Sequence, residues 1–520
     1  MKTTNPARIC AVVCEQHAGE LPQAIARAAE VADIIELRLD CLGDISPDRL
    51  VEACADLLRR ATRPVIVTLR SADEGGRQTI ERSKRLEFWR SEIRRLMSFR
   101  EVFVDIEADI VRDLSAQGEL SGAINWRRVI CSYHDFSGMP AELNRIYDDL
   151  ATTPAGILKI AARADDATDC IPTFRLLARA RGEAREMIAI AMGPAGIMTR
   201  ILGPSRGAFL TYGSLDDESA TAPGQLTARE LREVYHIDRI DQHTEIFGLM
   251  GRPVSHSVSP HFQNAAFHAA GLNAVYIPFE TIDASAFIRR MVHPRSREID
   301  WNLRGLSVTA PHKSAVVQHL DWIEPAAKQI GAVNTIVVEA DALKGYNTDA
   351  VAFVAPLRSA LGPLAKLSCA IIGAGGAART AVWSLLQEGA AVSLFIRDPM
   401  AAAPIARGFG VDCHQLEDAA FQNFDVVVNA TPLGTAGERR NETPAVAEQL
   451  AGVRLVYDLV YNPKETRLLI EARKAGCAIL GGLEMLLAQA AKQFELWTGN
   501  DAPVNVMREA ATRALDLRSS

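Results

Sequence analysis

Ala370-Ile371-Ile372-Gly373-Ala374-Gly375-Gly376-Ala377-Ala378 is the stretch that decides the fold of the second half of the chain. An apolar run of strand character enters a turn rich in glycine, and the residues beyond it open a helix. Glycine lets the backbone turn sharply and approach a ligand closely, and the helix N-terminus that follows presents free amides to a pyrophosphate. A glycine pattern alone is a weak signal. Its setting between strand and helix, with a second strand over Ala391–Ile396 about 20 residues on, is the context a dinucleotide-binding α/β fold requires.

Working back from this turn, the alternation of strands and helices restarts at Ile246-Phe247-Gly248-Leu249-Met250-Gly251, after a helical stretch and polar segment spanning roughly 232–244. That restart is the expected domain boundary, with a linker over 236–245. From residue 8 to about 214 the sequence again alternates β-rich runs with amphipathic segments, the rhythm of βα units. The runs are Ile9–Cys14, Ile34–Asp40, Val65–Arg70, Val102–Glu107, Val129–His134, Ile157–Ala161, Met187–Met192 and Phe209–Tyr212. Helical patterns such as Leu21–Ala32 and Leu86–Phe99 lie between them. Eight such runs in about 235 residues predict a single (β/α)8 barrel over 1–235. The whole chain is thus expected to be α/β, a barrel fused to a two-domain unit with a Rossmann nucleotide-binding domain.

Polar residues gather near the ends of the barrel runs, where this fold places its chemistry. Glu36 and Arg38 are two apart on one strand and so face the same way. Arg70, His134 and Lys159 lie at or near the ends of other runs. A lysine inside Gly156-Ile157-Leu158-Lys159-Ile160-Ala161 is hard to read as a surface charge. Burial disfavours an ammonium and supplies a neutral amine nucleophile for a carbonyl.

Composition sets the outer limits. The 520 residues are 48% hydrophobic and 23% charged with a net charge of -7, which argues against disorder and against a nucleic-acid-binding surface. No apolar stretch approaches the roughly 20 residues that span a bilayer, so neither a nucleic-acid nor a membrane partner is expected. The strand-like start at Ile9 leaves no room for a targeting peptide, and cytoplasm is the expected location. Nine cysteines carry no CxxC pair or zinc spacing and are read as reduced thiols, with Cys10 and Cys14 as small buried residues. His243, His256, His261 and His268 follow no zinc motif, and no metal site is expected.

Six short segments of the first half, in order, resemble type I 3-dehydroquinate dehydratases. They are Glu36-Leu37-Arg38-Leu39-Asp40, Arg70 with Glu74-Gly75-Gly76, Ser132-Tyr133-His134-Asp135-Phe136, Lys159-Ile160-Ala161, Met192-Gly193 through Arg200, and Ala222-Pro223-Gly224-Gln225. The second half resembles shikimate dehydrogenases through Ser255-His256-Ser257-Val258-Ser259-Pro260, Ser307-Val308-Thr309-Ala310-Pro311-His312-Lys313, Gly331-Ala332-Val333-Asn334-Thr335 and Gly345-Tyr346-Asn347-Thr348-Asp349. Asn429-Ala430-Thr431-Pro432-Leu433-Gly434, Tyr457-Asp458-Leu459-Val460-Tyr461 and Gly482-Leu483-Glu484-Met485 through Gln489 continue that likeness. The order of the two halves is that of bifunctional plant members.

The first resemblance implies an imine between Lys159 and the ketone of 3-dehydroquinate, with His134 as general base and then acid, and Glu74 orienting the imidazole. It implies Arg200 on the substrate carboxylate, with Glu36, Arg38, Arg70, Thr221 and Gln225 around the ring. Thr221 stands where serine is frequent, and Tyr212, where phenylalanine is common, is read as a pocket wall. The second implies reduction of 3-dehydroshikimate by NADPH with Lys313 and Asp349 as the catalytic pair, and Ser257, Ser259, Thr309, Asn334, Tyr461 and Gln489 holding substrate. Gly373, Gly375, Gly376, Ala377, Arg397, Asn429, Thr431 and Gly482 are its implied cofactor contacts. Ser307 departs from the asparagine common in single-domain bacterial relatives.

The family also implies a substrate domain over 246–350, a nucleotide domain over 351–477 and a return to the substrate domain over 478–520. At Ile396-Arg397-Asp398, where many relatives read asparagine-arginine-threonine, Asp398 either repels an adenosine 2′-phosphate, leaving NAD possible, or caps the helix beginning near Pro399. A non-catalytic regulator built from related domains would have lost Lys159, His134, Lys313 or Asp349, and all four are present. The retained Ser257 and Thr309 favour shikimate over quinate as the second product.

Overall fold

In the first half, eight parallel strands form one sheet. They are β1 (Ile9–Val13), β2 (Ile34–Arg38), β3 (Val65–Thr68), β4 (Val102–Glu107), β5 (Val129–Asp135), β6 (Ile157–Arg163), β7 (Glu186–Met192) and β8 (Thr211–Ser214). The computed structural model describes residues 7–43, 49–216, 225–255, 257–417 and 419–517. β1 pairs with both β2 and β8, and the other strands follow in sequence order to β7. A parallel bridge between Met187 and Ala208 joins the two ends of the sheet, so the strands close into a barrel. Parallel strands covered on both faces read as continuous apolar runs, and β1 and β2 are buried at every position.

Strand periodicity separates the barrel interior into two zones. Cys10, Val12, Ile34, Ile66, Ile130, Ile157 and Ile188 belong to one apolar cluster. Two or four residues further along the same strands, and therefore on the same face, stand Glu36, Arg38, Thr68, Ser132, His134 and Lys159. The apolar half makes the core, and the C-terminal half is left for chemistry.

Several strand ends differ from the sequence reading by a residue or two, β2 and β3 stopping at Arg38 and Thr68 and β6 running on to Arg163, and two further differences have a clear cause. The last strand runs over Thr211–Ser214, two residues later than expected, because the amide of Phe209 is already used on the Met187 carbonyl (2.7 Å) and pairing with β1 begins at Thr211. Cys14 and Cys41 form a disulfide, so these two are not free thiols. They are 27 residues apart, but β1 and β2 are adjacent and parallel, which brings the segments after them to a Cα separation of 5.3 Å. Cys10, Cys54, Cys131, Cys170, Cys369, Cys413 and Cys477 are free.

Contacts divide the chain into two compact units, the second opening at Glu245, with Ile277–Asp283 and Glu298–Asn302 grouped with the first. The second half holds two sheets. In the mixed sheet, β9 (Glu245–Gly251), β10 (Ala274–Glu280), β11 (Leu303–Val308), β12 (Trp322–Ile323), β13 (Thr335–Val338) and β14 (Leu343–Tyr346) lie in the order β10-β9-β11-β13-β14-β12. Phe247 of β9 shares a core with Phe262 and Phe267 of the helix Ser259–Ala269, Phe494 of the helix Leu483–Thr498, and Met507 and Leu515 of the helix Val504–Leu517. The last two helices therefore cover this sheet from the end of the chain.

The other sheet contains β15 (Ser368–Ile372), β16 (Ala391–Ile396), β17 (Asp412–Gln415), β18 (Val426–Asn429), β19 (Leu455–Asp458) and β20 (Ala478–Leu480). Its order, β17-β16-β15-β18-β19-β20, is the doubly wound one. The strand order reverses between β15 and β18, which opens a crevice at their C-terminal ends. Among the described residues no helix is long and apolar enough to cross a membrane.

Two candidate active sites

The polar half of the barrel forms a pocket. Glu36 and Arg38 from β2, His134 from β5 and Lys159 from β6 line it, joined by Arg70 and Gln225 from loops, Glu74 from the short 3-10 turn Ala72–Glu74, Arg200 from the helix Ile197–Leu202 and Tyr212 from β8. Val12, Ile190 and Met192 supply its apolar wall. Thr221 lies outside the described residues.

Lys159 Nζ donates to Asp105 Oδ2 at 2.8 Å and to the Tyr212 hydroxyl at 3.2 Å, and it sits 4.4 Å from the centroid of the Tyr212 ring. Asp105 also accepts from Ser132 Oγ at 2.6 Å, and an Arg70 nitrogen lies 2.7 Å from it. Burial opposes its ionisation, yet Arg70 and then Lys159 hold its carboxyl far below the usual range. Glu36 accepts from Thr68 Oγ1 at 2.6 Å. Arg38 is fixed by two bonds to Asp40, at 2.8 and 2.7 Å.

His134 Nδ1 is 3.0 Å from Glu74 Oε2. Burial, then the charges of Arg70 and Lys159, push the imidazole well below its ordinary value, so it is neutral near pH 7. Burial pushes the Glu74 carboxyl up to about 8 against the opposing pull of Arg70. Arg200 is 2% exposed. It donates to the Tyr212 carbonyl at 3.2 Å, and its Nε has no hydrogen-bond partner among the described residues. Burial draws its guanidinium down to about 10, so it remains a cation at neutral pH.

In the second half Lys313 Nζ donates to Asp349 Oδ2 at 2.5 Å. The Lys313 carbonyl accepts from the Val333 amide at 2.8 Å, next to Asn334. Asn334 Oδ1 accepts from the Thr348 amide (2.8 Å), and its Nδ2 donates to Thr348 Oγ1 (3.0 Å) and Gln489 Oε1 (3.4 Å). These bonds gather Lys313, Asn334, Asp349 and Gln489. Ser257 Oγ accepts from the Ser259 amide at 3.1 Å where a helix starts beyond β9, and the Thr309 amide donates to Met250 of β9 at 2.8 Å. Tyr461 packs against the core containing Val254 and Val258.

The glycine turn lies against this group. Gly373 has φ +121°, a backbone state that disfavours any side chain, and a Cβ there would stand 3.0 Å from the Ala430 carbonyl. At Gly376 a Cβ would fall 2.9 Å from Lys313 Cδ, so the missing side chain lets the helix N-terminus approach Lys313. Gly375 has open space, and Ala377 follows in the first turn of the helix Gly376–Gln387. Thr431 donates its amide and hydroxyl to Asn429 Oδ1 at 3.0 and 2.7 Å. Gly482 packs its α-carbon face on the Leu459 carbonyl, where a Cβ would lie at 2.3 Å. Arg397 is exposed, and the Asp398 carboxylate accepts from the Met400 amide at 3.0 Å.

Two of the closest partners escaped the sequence reading. Asp105 shares the alternation Asp105, Glu107 on an apolar strand, the same signal that picked out Glu36 and Arg38. Gln493 stands one helical turn beyond Gln489 and is 1% exposed. It accepts from Ser307 Oγ at 2.8 Å and donates to the Asn334 carbonyl at 3.1 Å. Among the described residues no group of His, Cys, Asp and Glu side chains is arranged to hold a metal ion. His243 and His268 are exposed, His261 is half-buried, and His256 lies outside the described residues.

A barrel with a buried lysine beside a neutral histidine, fused to a doubly wound domain whose glycine turn meets a lysine–aspartate pair, defines a two-site enzyme of lyase and nicotinamide-reductase type. Residues 9–242 match the type I 3-dehydroquinase model, 249–336 the shikimate dehydrogenase substrate binding domain and 482–512 the shikimate 5'-dehydrogenase C-terminal domain. The bifunctional 3-dehydroquinate dehydratase/shikimate dehydrogenase of Arabidopsis thaliana, a chloroplastic protein, is 32% identical over 96% of this chain and 83% of its own. The chain belongs to this bifunctional family.

A shikimate dehydrogenase (NADP(+)) of Moorella thermoacetica is 40% identical over 53% of this chain and 95% of its own. The solved dehydroquinate dehydratase and shikimate dehydrogenase of S. pombe is 25% identical, with a TM-score of 0.42, over 98% of this chain and 99% of its own.

The raised Glu74 carboxyl has a consequence for stability. Its folded value of about 8 exceeds the ordinary 4.5, so between those values the folded chain holds a proton that the unfolded chain has released, and stability falls as pH rises through the window. Glu74→Gln removes this effect while keeping an acceptor for His134. The melting temperature of the variant relative to wild type is expected to climb from pH 5 to pH 8.5; a constant difference would contradict the raised value.

Proposed function

We propose that the chain dehydrates 3-dehydroquinate through an imine on Lys159 and then reduces 3-dehydroshikimate to shikimate with NADPH at Lys313 and Asp349. The observation that carries the first step is a buried guanidinium, Arg200, with no acidic partner among the described residues, in the pocket that also holds Lys159 and His134. A buried cation without a counter-ion is costly, and a substrate carboxylate offsets that cost.

In this reading the Lys159 amine attacks the substrate ketone and water leaves, giving an imine that accepts the electron pair of the neighbouring C–H bond. His134, neutral through burial, takes that proton at Nε2 while Glu74 holds Nδ1. The same proton is returned to the departing hydroxyl, which leaves as water, and a water molecule then hydrolyses the imine, releasing 3-dehydroshikimate and the Lys159 amine. Glu36, Arg38, Arg70 and Gln225 surround the ring.

The residues of the second crevice fit a dinucleotide: Gly373 and Gly375 leave the turn open, and Gly376, Ala377 and the helix behind them offer amides to the pyrophosphate. Asn429, Thr431, Arg397 and Gly482 complete its contacts. When bound, the reduced nicotinamide supplies the hydride. Lys313, held by Asp349, stabilises the alkoxide and delivers its proton. Ser257, Ser259, Thr309, Asn334, Tyr461 and Gln489 orient the substrate.

Residues 1–235 form the dehydratase domain, 236–245 the linker, 246–350 with 478–520 the substrate domain and 351–477 the nucleotide domain. The proposed location is the cytoplasm.

Incubating the purified chain with 3-dehydroquinate and borohydride is expected to give a covalent adduct on Lys159, and Lys159→Ala to abolish dehydration while leaving reduction of supplied 3-dehydroshikimate intact. An adduct on another lysine, or none, refutes the imine assignment. In the second site Lys313→Ala and Asp349→Asn are each expected to slow reduction at least about a hundredfold, the scale of lost acid–base groups. A wild-type melting transition of the reductase half in those variants checks that they fold.

Cofactor choice turns on Asp398, whose carboxylate is engaged as the cap of the helix Pro399–Phe409. A capping carboxylate is held by the helix amide rather than aimed at the 2′-phosphate, while Arg397 stays available for it. Steady-state reduction is therefore expected to favour NADPH over NADH. Asp398→Thr, which keeps a capping oxygen, is expected to change that ratio less than about twofold. A large shift toward NADPH would mean that the carboxylate faces the phosphate.

A further inference from the structure

β18 and β19 end side by side at the crevice, with Asn429 and Asp458 as register partners. Asn429 Nδ2 donates to Asp458 Oδ1 at 2.9 Å, and Asn429 Oδ1 receives both bonds from Thr431. The same oxygen of Asp458 accepts from the Val460 amide at 3.0 Å, one residue before Tyr461. Its other oxygen accepts from Thr466 Oγ1 at 2.5 Å, and Thr466 in turn accepts from the Leu469 amide at 3.3 Å to cap the helix Arg467–Lys474. Asn429, Asp458 and Thr466 have no solvent exposure. One carboxylate thus holds the segment proposed for the cofactor and the segment proposed for the substrate.

Nothing in the backbone of two strand ends calls for a buried charge. Among the described residues no cationic side chain pairs with Asp458, and burial pushes its carboxyl up to about 6, so it is ionised at neutral pH at a desolvation cost. All its partners are donors, and a carboxylate accepts from every one of them; an asparagine would keep an oxygen for Asn429 and Val460 but turn its amide nitrogen to Thr466 Oγ1, taking the acceptor from that buried hydroxyl proton. The surroundings leave little slack. Gly373 admits no Cβ against the Ala430 carbonyl on one side, and Gly482 admits none against the Leu459 carbonyl on the other. A shift at the strand ends is passed to the glycine turn and to Tyr461.

We infer that Asp458 is a positioning residue for the reductase, setting the nicotinamide-binding loop Asn429–Thr431 and the substrate residue Tyr461 relative to one another. The inference rests on the proposed reading of the second site. It distinguishes Asp458 from an ordinary strand-end support, which would affect folding but neither binding constant.

The test compares full-length wild type, Asp458→Ala, Asn429→Ala and Thr466→Val, measuring KM for NADPH, KM for 3-dehydroshikimate and kcat of reduction, with a cooperative thermal melt of the reductase half as the control for folding. Asp458→Ala, which cuts the links to Asn429 and Val460 together, is expected to raise both KM values at least about fivefold and to lower kcat about tenfold, as small misplacements of reacting groups do. Asn429→Ala, which cuts the link from the cofactor side, is expected to raise KM for 3-dehydroshikimate as well as for NADPH, and it carries the test alone if Asp458→Ala does not fold. Thr466→Val, on the far side of the carboxylate, is expected to lower the melting temperature and leave both KM values within twofold. The inference is overturned if the first two variants keep wild-type KM values, or if Thr466→Val reproduces the double rise. Absence of reduction in wild type refutes the reading of the site and the inference with it, whereas normal reduction with unaffected variants refutes the inference alone.

Discussion

The carboxylate of Asp105, fully buried between Arg70, Ser132 and Lys159, is the constraint on which the barrel site depends. Taking one ion into the interior costs several kcal/mol, and removing a single partner from a buried pair typically costs about 3–5 kcal/mol because the other charge is left uncompensated. The other cations at this site have an acid within reach: Arg38 pairs with Asp40, and Arg70 and Lys159 both pair with Asp105. Arg200, lining the same pocket, has no acid beside it among the described residues, so a carboxylate entering the pocket would meet an uncompensated buried cation.

The reductase half meets the same demand for order with mostly neutral groups. Asn334, just before β13, bonds to Thr348 and Gln489, Gln493 ties Ser307 to the Asn334 carbonyl, and glycine removes bulk where the turn approaches Lys313. Neutral hydrogen bonds cost less to bury than ions, which suits a crevice between sheets that must remain open to two ligands. Apart from the Lys313–Asp349 pair, the exception is Asp458, whose burial has no cation to offset it among the described residues.

Much of this was legible in the sequence, and what was missed has identifiable reasons. Period-two alternation found Glu36 and Arg38 because both are charged and adjacent to a family motif. Asp105 carries the same signal, but as an acid near a strand end it reads equally well as a solvated terminus, and only the placing of β4 and β6 on either side of β5, facing one interior, brings it to Lys159. Gln493 is neutral and sits in a helix, where nothing local distinguishes it from a surface glutamine. The Cys14–Cys41 bond is set by adjacency of two strands, which spacing of 27 residues does not reveal. At Asp398 the sequence left two orientations open, and the amide of Met400 selects the cap. In each case the missing information was three-dimensional: which strand lies next to which, and which donor reaches a given oxygen.

Each site sets a lysine against an aspartate, yet the proposed reactions ask opposite things of the two lysines. Lys159 must attack as a free amine, and Lys313 must act as a proton-bearing cation. The difference lies in what else the aspartate holds. Asp105 is compensated by Arg70, whose charge is permanent in water, and by the Ser132 hydroxyl, so its burial does not rely on Lys159 keeping a proton. Release of that proton during imine formation leaves no orphaned ion. Asp349 is also buried, but among the described residues Lys313 is the one cation paired with it, at 2.5 Å. Loss of the Lys313 proton would strand that carboxylate, so the pair favours a lysine that is reprotonated as soon as it has given its proton to the alkoxide. In the proposed reading, the Arg70 cation beside Asp105, with no counterpart beside Asp349 among the described residues, is what separates a lysine used as a nucleophile from one used to deliver a proton.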